Sequence, residues 1–360
     1  MQLNVVVLAG DGIGPEVTRE AVRVLRHVAE KFGHRLVLRE GLIGAEAIRR
    51  TGWPLPEETL RAALEADATL LGAVGLPEFD SAPPERRPER GLLALRKALG
   101  VYANLRPVRA YRALLEASPL KNERVEGTDL VIVRELTGGL YYGTPRGISG
   151  AGPEQRGVNT MSYTRAEIER IAHTAFRLAR RRRRKLASVD KSNVLETSQL
   201  WRQVVSEVGA GYPEVALEHI LVDNCAMQLI LNPRRFDVVL TENMFGDILS
   251  DEAAVLAGSI GMLPSASIGE RRPSGAWVGL YEPVHGSAPD IAGRDCANPL
   301  GAVGSAAALL EYSFGLSEEA AAVNRAIEAV IEKGVVTADL RPAGRPASTS
   351  EVGEALLAEI

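Results

Sequence analysis

Residues 5–16 have the sequence VVVLAGDGIGPE. The apolar, β-branched run at residues 5–9 ends in closely spaced glycines, and an apolar period from Val17 to Val28 follows Pro15. This pattern predicts a strand, a tight turn and then a helix. The chain therefore opens as an α/β protein.

Strands and helices continue to alternate beyond this opening. Strands are predicted at residues 68–74, 101–105, 130–134, 186–189 and 236–240. Helices are predicted at residues 91–97, 164–182, 194–208 and 245–256, and a capping-box pattern at residues 348–351 predicts the start of a last one. Two loops rich in glycine or proline, residues 76–88 and 143–157, are typical of functional or mobile segments.

Length and composition exclude several classes of protein. The chain has 360 residues, 46% hydrophobic and 24% charged, which excludes disordered, collagen-like and coiled-coil proteins and favours two domains. A net charge of -4 gives no overall positive field for nucleic acid or an anionic membrane. We find no signal peptide and no apolar stretch that spans a bilayer. The two cysteines, Cys225 and Cys296, have no zinc or disulfide spacing, so the sequence predicts a cytoplasmic protein.

The glycines at residues 10–14 have two interpretations. The amides of a strand-to-helix turn attract anions and nucleotides. The spacing is not the G-x-G-x-x-G dinucleotide motif, however, and a tight turn that needs positive φ explains the glycines equally well.

Two aspartates suggest a metal site. Asp247 and Asp251 are four residues apart in a predicted helix, so their carboxylates lie on one face within about 5–6 Å. Mg²⁺ or Mn²⁺ would relieve their repulsion, and Asp223, after the apolar run at residues 220–222, is a candidate third ligand. The alternative is a solvated acidic face.

Three arginines suggest an acidic substrate. Arg96, Arg106 and Arg134 each stand beside apolar residues, and a guanidinium binds a carboxylate through two parallel hydrogen bonds. Together they suit a dicarboxylic or tricarboxylic acid, whereas any one of them taken alone is typical of an ordinary ion-pair partner.

Lys191 follows a predicted strand, at the edge where α/β sheets place ligand-facing side chains. Partly desolvated beside a metal, a lysine serves as a general base, and Tyr141 is a candidate proton donor. A surface lysine and a packed aromatic ring are the alternatives.

The loop at residues 282–293 suits a small polar ligand, because its aspartate can accept both ribose hydroxyls and repels a 2′-phosphate.

Other features argue against further classes of function. His27, His34, His173 and His219 lack metal-ligand spacing, and no serine or cysteine lies in a nucleophile motif, which disfavours a hydrolase. Residues 180–185, five arginines and a lysine, end a predicted helix, where positive charge suits the helix dipole, so we do not interpret them as a nucleic-acid site.

Eight motifs together resemble the β-decarboxylating dehydrogenases, the family of the isocitrate and isopropylmalate dehydrogenases, over nearly the whole chain. They are GDGIGPE (10–16), RPERGLLALRK (87–97), ANLRP (103–107), VRELTGGLYYG (133–143), SVDKSNVLE (188–196), ENMFGDILSDEAA (242–254), GMLPSASIG (261–269) and EPVHGSAPDIAG (282–293). ELTGG and RPERGLLALRK are typical of the isopropylmalate branch. VDNCAMQL also occurs in homoisocitrate-type relatives, and Leu76 stands where the family usually has a glycine.

The resemblance implies a reaction and a fold. A 2-hydroxy acid passes a hydride to NAD⁺, the β-keto acid loses CO₂, and the enol is protonated, as in leucine biosynthesis; homoisocitrate, isocitrate, tartrate and malate are the alternative substrates. The implied fold is an open mixed α/β sheet, not the standard Rossmann arrangement. The implied domains are residues 1–101 with 258–360, and residues 102–257, which close on each other around the substrate.

The resemblance also implies a role for each site residue. Arg96, Arg106 and Arg134 would hold the carboxylates, Lys191 would be the base and Tyr141 the proton donor. Asp223, Asp247 and Asp251 would bind Mg²⁺ or Mn²⁺. Leu92, Leu93 and Val194 would contact the isopropyl group. The NAD⁺ contacts would be Ile13, Glu89, Glu282, His285, Gly286, Ser287, Ala288, Asp290, Ile291 and Asn298.

The family is dimeric, which implies a homodimer in which Lys191 and Asp223 enter the neighbouring subunit's site.

Two other classes of function are alternatives to an enzyme of this family. A regulatory homologue would have lost the base, the proton donor or a metal carboxylate, and all of these are present. A nucleic-acid-binding module would need more than the one basic helix end.

Overall fold

The computed structural model describes residues 1–271 and 277–360. Its strands are β1 (Gln2–Gly10), β2 (Arg35–Glu40), β3 (Ala68–Ala73), β4 (Ala103–Arg109), β5 (Asp129–Glu135), β6 (Gly147–Ser149), β7 (Arg156–Val158), β8 (Lys185–Asp190), β9 (Ala216–Leu221), β10 (Val238–Thr241), β11 (Pro264–Arg271) and β12 (Trp277–Pro283). Its helices are α1 (Gly14–Lys31), α2 (Gly44–Thr51), α3 (Glu57–Glu65), α4 (Pro88–Leu99), α5 (Asn122–Val125), α6 (Arg165–Arg181), α7 (Glu196–Gly209), α8 (Val222–Leu231), α9 (Asn243–Ala254), α10 (Leu300–Phe314), α11 (Ser317–Glu332) and α12 (Thr349–Glu359).

The opening of the chain is the predicted strand, turn and helix. Gly10 and Gly12 have φ angles of +74° and +57°, which glycine adopts without strain. Between them, the Asp11 carboxylate accepts hydrogen bonds from the main-chain N–H groups of Glu46 (3.1 Å) and Gly75 (2.8 Å). These contacts join the turn to α2 and to the segment after β3.

The chain forms two compact units. The first unit comprises Met1–Val101, Ala110–Asn122 and Ala254–Ile360, and the second comprises Tyr102–Arg109 and Glu123–Ala253. Relative to the predicted boundaries, residues 110–122 and 254–257 lie in the first unit. The functions predicted for the two domains stay predictions.

In the first unit the strand order is β2-β1-β3-β12-β11. All neighbours are parallel except β11 and β12, which are antiparallel. The mostly buried helix α10 packs on β11 and β12, and α1 and α11 pack on α10. No helix in the described ranges 1–271 and 277–360 is long and apolar enough to cross a membrane.

In the second unit the strand order is β4-β5-β10-β8-β9, and only β4 and β5 are antiparallel neighbours in it. Helix α6 packs on β5, β8, β10 and α7, with Phe176 and Trp201 buried in this core. β6 and β7 form a separate antiparallel hairpin. Parallel and antiparallel pairs thus occur in both units, which confirms the predicted mixed sheet and differs from an all-parallel Rossmann sheet.

Several element ends differ by a few residues from the predicted ones, and two of these differences have identifiable reasons. β4 begins at Ala103 rather than at residue 101, because α4 ends in a left-handed turn at Gly100 (φ +64°) and the Val101 N–H still bonds to the Arg96 carbonyl (3.2 Å). α9 begins at Asn243 rather than at residue 245, because the Glu242 carboxylate accepts the Phe245 N–H (2.6 Å) and caps the helix from one position earlier.

The predicted capping box at the last helix is confirmed. The Ser348 hydroxyl accepts the Glu351 N–H (3.2 Å), and the Glu351 carboxylate accepts the Ser348 N–H (2.8 Å). A second capping box joins Thr164 and Glu167 at the start of α6. The basic run after α6 is structural as well: Arg182 donates to Asp129 and to the buried Asp237, each at 2.8 Å.

Candidate active site

Helix α9 carries the acids at the centre of the site. It starts directly after the buried strand β10, and the four-residue spacing places Asp247 and Asp251 on one face, as predicted. The Asp247 side chain is 34% exposed and that of Asp251 is 58% exposed. Both carboxylates are therefore open to a ligand.

Three of the predicted residues converge on Asp247. Tyr141 Oη donates to Asp247 Oδ2 (2.9 Å), and Arg134 Nη1 donates to Asp247 Oδ1. Arg106 Nη2 lies 3.5 Å from the same Oδ1, and Arg106 Nη1 lies 3.4 Å from Asp251 Oδ1. Both arginine side chains are buried, so the second unit holds two cations, a phenol and two carboxylates together.

Neighbouring strands fix the two arginines. Arg106 on β4 and Arg134 on β5 lie on antiparallel neighbours. Arg106 Nε donates to Asn104 Oδ1 (2.8 Å), and Arg106 Nη1 donates to Ser250 Oγ (2.6 Å). Burial and these bonds restrict the rotamers of both side chains, so the positive charges are fixed in place.

The charges of the site set its protonation states. Burial would raise the pKa of Asp247, but the guanidiniums of Arg134 and Arg106 outweigh burial and lower it. For Asp251, burial and the neighbouring Asp247 charge raise the pKa against the attraction of Arg106. Burial and the Asp247 charge also raise the pKa of Tyr141 to about 12, so its hydroxyl keeps its proton at neutral pH.

Lys191 and Asp223 form a separate pair in the second unit. Lys191 follows the last residue of β8, and its main-chain N–H donates to Ser198 Oγ (3.1 Å). Its Nζ donates to Asp223 Oδ1 (2.7 Å) near the start of α8, which lowers the pKa of that exposed carboxyl. Within the described residues, no contact joins this pair to the group around Asp247.

The carboxylates of Asp247 and Asp251 therefore supply some of the ligands of a cation site. Asp247 and Asp251 provide two adjacent oxygen donors, the type of ligand that Mg²⁺ and Mn²⁺ prefer. Over residues 1–271 and 277–360 of a single chain, no group of three or more acids, histidines or cysteines could hold a metal ion. A divalent cation at such a pair takes its remaining ligands from water, a substrate or other side chains.

Helix α4 in the first unit presents the next set of predicted residues. Glu89, Leu92, Leu93 and Arg96 recur at helical spacing, so they share one face of α4. Arg96 Nη2 donates to Glu282 Oε1 (2.5 Å), and the two side chains are only 11% and 9% exposed. Arg96, which is predicted to bind the substrate, and Glu282, which is predicted to bind the cofactor, are thus paired with each other. Val194 lies in the second unit and is 61% exposed.

The loop after β12 lies against the glycine turn. The Ile13 N–H donates to the Ser287 carbonyl (2.8 Å), and a side chain at Gly12 would collide with that carbonyl. The Asp11 N–H donates to the Ala73 carbonyl (2.7 Å). Because these amides are already bonded, the tight-turn interpretation of the glycines is favoured over an anion cradle.

The same loop carries a polar atom that fits a ligand. The buried His285 has its Nδ1 2.8 Å from the Gly286 carbonyl, and within the described residues its Nε2 has no hydrogen-bond partner. Burial lowers the pKa of His285, so the ring is neutral and Nε2 is an acceptor. Ala288 has a positive φ of 36°, and the exposed Asp290 follows two residues later. Asn298 Nδ2 donates to Asp339 Oδ2 (3.0 Å). His285 Nε2 and the Asp290 carboxylate are therefore acceptors for the N–H or O–H groups of a ligand.

A buried polar network that was not predicted from the sequence lies beside the site. The fully buried Glu135 accepts the Gly138 N–H (2.7 Å), and burial raises its pKa. Tyr163 Oη donates to Glu242 Oε2 (3.2 Å) and accepts the Asn243 N–H (3.0 Å). The clue in the sequence was a polar pair, Glu242 and Asn243, directly between a buried strand and the predicted aspartate helix.

A cavity of about 780 Å³ lies in the first unit beside the glycine turn. Its lining includes Gly12, Arg19, Arg23 and Leu76, but none of the residues predicted to bind the cofactor. Arg23 is paired with Glu20 (2.6 Å), and Arg19 is paired with the same carboxylate (3.0 Å). These ion pairs reduce the positive charge that an anion would meet.

Comparison with known proteins assigns the family. The family model described as isocitrate/isopropylmalate dehydrogenase matches residues 4–356. The chain belongs to the isocitrate/isopropylmalate dehydrogenase family. Among curated proteins of this family it is similar to the 3-isopropylmalate dehydrogenase of Heyndrickxia coagulans (57% identity, 100% of this chain and 97% of that protein). It is also similar to the 3-isopropylmalate dehydrogenase of Aquifex aeolicus (54% identity, 95% and 92%).

Solved structures of the isocitrate/isopropylmalate dehydrogenase family have the same fold. The isocitrate dehydrogenase of Methylococcus capsulatus matches with a TM-score of 0.87 at 34% identity, covering 99% of each chain. A β-decarboxylating dehydrogenase of Thermococcus kodakarensis matches with a TM-score of 0.78 at 38% identity, covering 99% of this chain and 96% of that one. The predicted fold class is therefore confirmed.

Proposed function

We propose that the protein catalyses the NAD-dependent oxidative decarboxylation of 3-isopropylmalate to 2-oxoisocaproate and CO₂, a step of leucine biosynthesis. The observation that carries the proposal is the convergence of Arg106, Arg134 and Tyr141 on Asp247, which combines carboxylate binding with a protonated phenol. The identity of 54–57% to proteins named 3-isopropylmalate dehydrogenase supports this substrate over isocitrate.

The arginines bind the substrate in this proposal. Arg106 and Arg134 hold malate carboxylates through charge-assisted hydrogen bonds, and Arg96 contributes a third guanidinium once it turns from Glu282. Leu92, Leu93 and Val194 contact the isopropyl group, where each methylene gives discrimination of only about 1–3 kcal/mol. The enzyme should therefore accept related acids at reduced rates.

Two residues move the protons. Lys191 takes the proton of the C2 hydroxyl while the C2 hydride leaves to NAD⁺, which produces the β-keto acid. The carbon–carbon bond to the β-carboxylate then breaks, CO₂ departs, and the electron pair remains in an enolate. Tyr141 donates its proton to the carbon of that enolate, which gives the 2-keto acid, and its raised pKa of about 12 suits this role because the phenol stays protonated until it is needed.

The cofactors are held by the predicted residues. Asp247 and Asp251, with Asp223 of a second copy, would hold Mg²⁺ or Mn²⁺, which supplies a positive charge that polarises the hydroxyl and stabilises the enolate. The residues for NAD⁺ are Ile13, Glu89, Glu282, His285, Gly286, Ser287, Ala288, Asp290, Ile291 and Asn298. The Asp290 carboxylate would repel a 2′-phosphate, which favours NAD⁺ over NADP⁺.

A homodimer completes the site in this proposal. On α8, Asp223 and Met227 are four residues apart, and Met227 is 52% exposed; on α9, Ile248 is 59% exposed. A second copy would cover these apolar side chains and bring Lys191 and Asp223 to the carboxylates of α9.

The two free cysteines, Cys225 and Cys296, agree with action in a reducing cytoplasm.

The test follows NADH formation with NAD⁺, Mg²⁺ and 3-isopropylmalate, with homoisocitrate, isocitrate, tartrate and malate in parallel. We expect 3-isopropylmalate to have the highest kcat/KM and EDTA to abolish turnover. A higher kcat/KM for another acid would overturn the substrate assignment, and EDTA-resistant turnover would overturn the metal assignment. Absence of turnover with every acid, in a folded protein, would favour a regulatory homologue.

A further inference from the structure

Asn243, the first residue of α9, uses its whole side chain for hydrogen bonding. It is 1% exposed. Its Oδ1 accepts from Nε (2.9 Å) and Nη2 (2.7 Å) of Arg134. Its Nδ2 donates to the carbonyls of Leu136 (3.2 Å) and Gly138 (3.0 Å). A primary amide offers two acceptor positions and two N–H groups, so all four are occupied.

The acceptor side of Asn243 sets the orientation of Arg134. Of the five N–H groups of that guanidinium, two are bonded to Asn243 and one to Asp247 within the described residues. The remaining two, one on each Nη atom, are left for a substrate carboxylate. Because the Arg134 side chain is only 3% exposed, little water is present to replace a lost acceptor.

The donor side of Asn243 holds the turn that leads to Tyr141. Gly138 is three residues before Tyr141, and Gly139 has a φ of +73° that favours glycine. A side chain at Gly139 would collide with the Tyr163 hydroxyl, which itself accepts the Asn243 main-chain N–H (3.0 Å). The path from Asn243 to the phenol is thus short and tightly packed.

We propose that Asn243 is a positioning residue that holds Arg134 and Tyr141 in a fixed relation, so that one amide orients both the carboxylate binder and the proton donor. This inference rests on the proposed function, which assigns those roles to Arg134 and Tyr141. Asn243 touches neither substrate nor cofactor in this arrangement and acts only through its two neighbours.

The first test is Asn243→Ala, which removes both halves of the network. We expect the KM for 3-isopropylmalate to rise and kcat to fall, each by about tenfold or more, because two buried partners lose their hydrogen bonds. The KM for NAD⁺ should stay within about twofold. Equal rises of both KM values, or unchanged kinetics, would contradict the positioning role.

Two further variants control for misfolding. Thr241 lies two residues earlier on β10, is fully buried, and has a hydroxyl with no hydrogen-bond partner in the described residues, so Thr241→Val should leave all kinetic constants unchanged. Asn243→Asp keeps the acceptor oxygens but loses the N–H donors to the turn. It should therefore lower kcat as strongly as Asn243→Ala with a smaller rise in KM, and a wild-type kcat would count against the inference.

A double-mutant cycle separates the inference from the proposed function. Arg134→Lys alone should raise the KM for 3-isopropylmalate, and Asn243→Ala should add less than about twofold in that background, because its effect on KM passes through Arg134. If Arg134→Lys leaves KM unchanged, the assignment of Arg134 to the substrate fails. If both substitutions raise KM and their effects multiply, that assignment stands and the positioning role of Asn243 fails.

Discussion

At the scale of single residues, the surroundings of Tyr141 favour the protonated phenol that its proposed role as proton donor requires. Its hydroxyl donates to Asp247 Oδ2 (2.9 Å), and Arg134 lies over its ring with Cζ 5.7 Å from the ring centroid. We expect Tyr141→Phe to lower kcat by about 10²–10⁴-fold while the KM for 3-isopropylmalate changes by less than about threefold. Initial rates of NADH formation measure both constants.

The neighbouring tyrosine provides a matched control for this substitution. Tyr142→Phe also removes one phenol hydroxyl, but from a residue with no assigned role, and it should retain near-normal kcat. A kcat for Tyr141→Phe as high as that of Tyr142→Phe would show that the Tyr141 hydroxyl is not the proton donor.

The raised pKa of Tyr141 also predicts the alkaline pH dependence. Since burial and the Asp247 charge raise this pKa to about 12, the phenol keeps its proton throughout the range from pH 7 to pH 10. In the metal-free protein, the difference in tyrosinate absorbance between the wild type and Tyr141→Phe should therefore show no ionisation near the ordinary value of about 10. A difference that titrates near pH 10 would contradict this assignment.

Sequence alone predicted the position of a residue on its helix or strand better than its contacts with other elements. The four-residue spacing of Asp247 and Asp251 places them on one helix face wherever that helix lies. Asn243 gave no such signal, because asparagine is typical of caps and turns, and its partners Arg134 and Gly138 are 109 and 105 positions away in the chain. Contacts over that distance follow from the pairing of β5 with β10, which local patterns do not specify.

At the scale of elements, the close approach of α9 to β5 depends on Gly246. A Cβ added there would lie 2.6 Å from Arg134 Cγ and 2.8 Å from Arg134 Cβ. Helix propensity alone would make Gly246→Ala stabilising by about 1 kcal/mol. Arg134 is buried and bonded to Asn243 and Asp247, so it has little freedom to move away.

We therefore expect Gly246→Ala to raise the KM for 3-isopropylmalate by about tenfold or more, because the added methyl displaces Arg134. Thermal unfolding should show no gain in Tm. A wild-type KM together with a higher Tm would mean that α9 and β5 separate without cost, and would contradict this packing.

Elements with a clear period or cap were predictable, and uniformly buried ones were not. The turn after β1 and the capping boxes at Thr164 and Ser348 have local signals. α10 is buried on nearly all sides, so its sequence, LGAVGSAAALLEYSF, has no amphipathic period. β2 has the sequence RLVLRE and remains partly exposed at an edge, which gives a weak strand signal.

At the scale of the whole molecule, the proposed reaction depends on a second copy of the chain. Within the described residues of one chain, Lys191 is bonded to Asp223 and not to the group around Asp247. In our proposal the base and the proton donor of each reaction come from two different subunits, so each site needs both chains. Disrupting the dimer with Met227→Lys should abolish turnover while each subunit stays folded.

Mixing two inactive variants tests this claim most directly. Lys191→Ala and Tyr141→Phe should each have little activity alone. Unfolded and refolded together in equal amounts, half of the dimers carry one of each chain, and each such dimer has one intact site, so the mixture should recover about one quarter of wild-type activity. Recovery near that value would support sites shared between subunits, whereas a mixture as inactive as its components, with mixed dimers demonstrated by mass spectrometry, would contradict them.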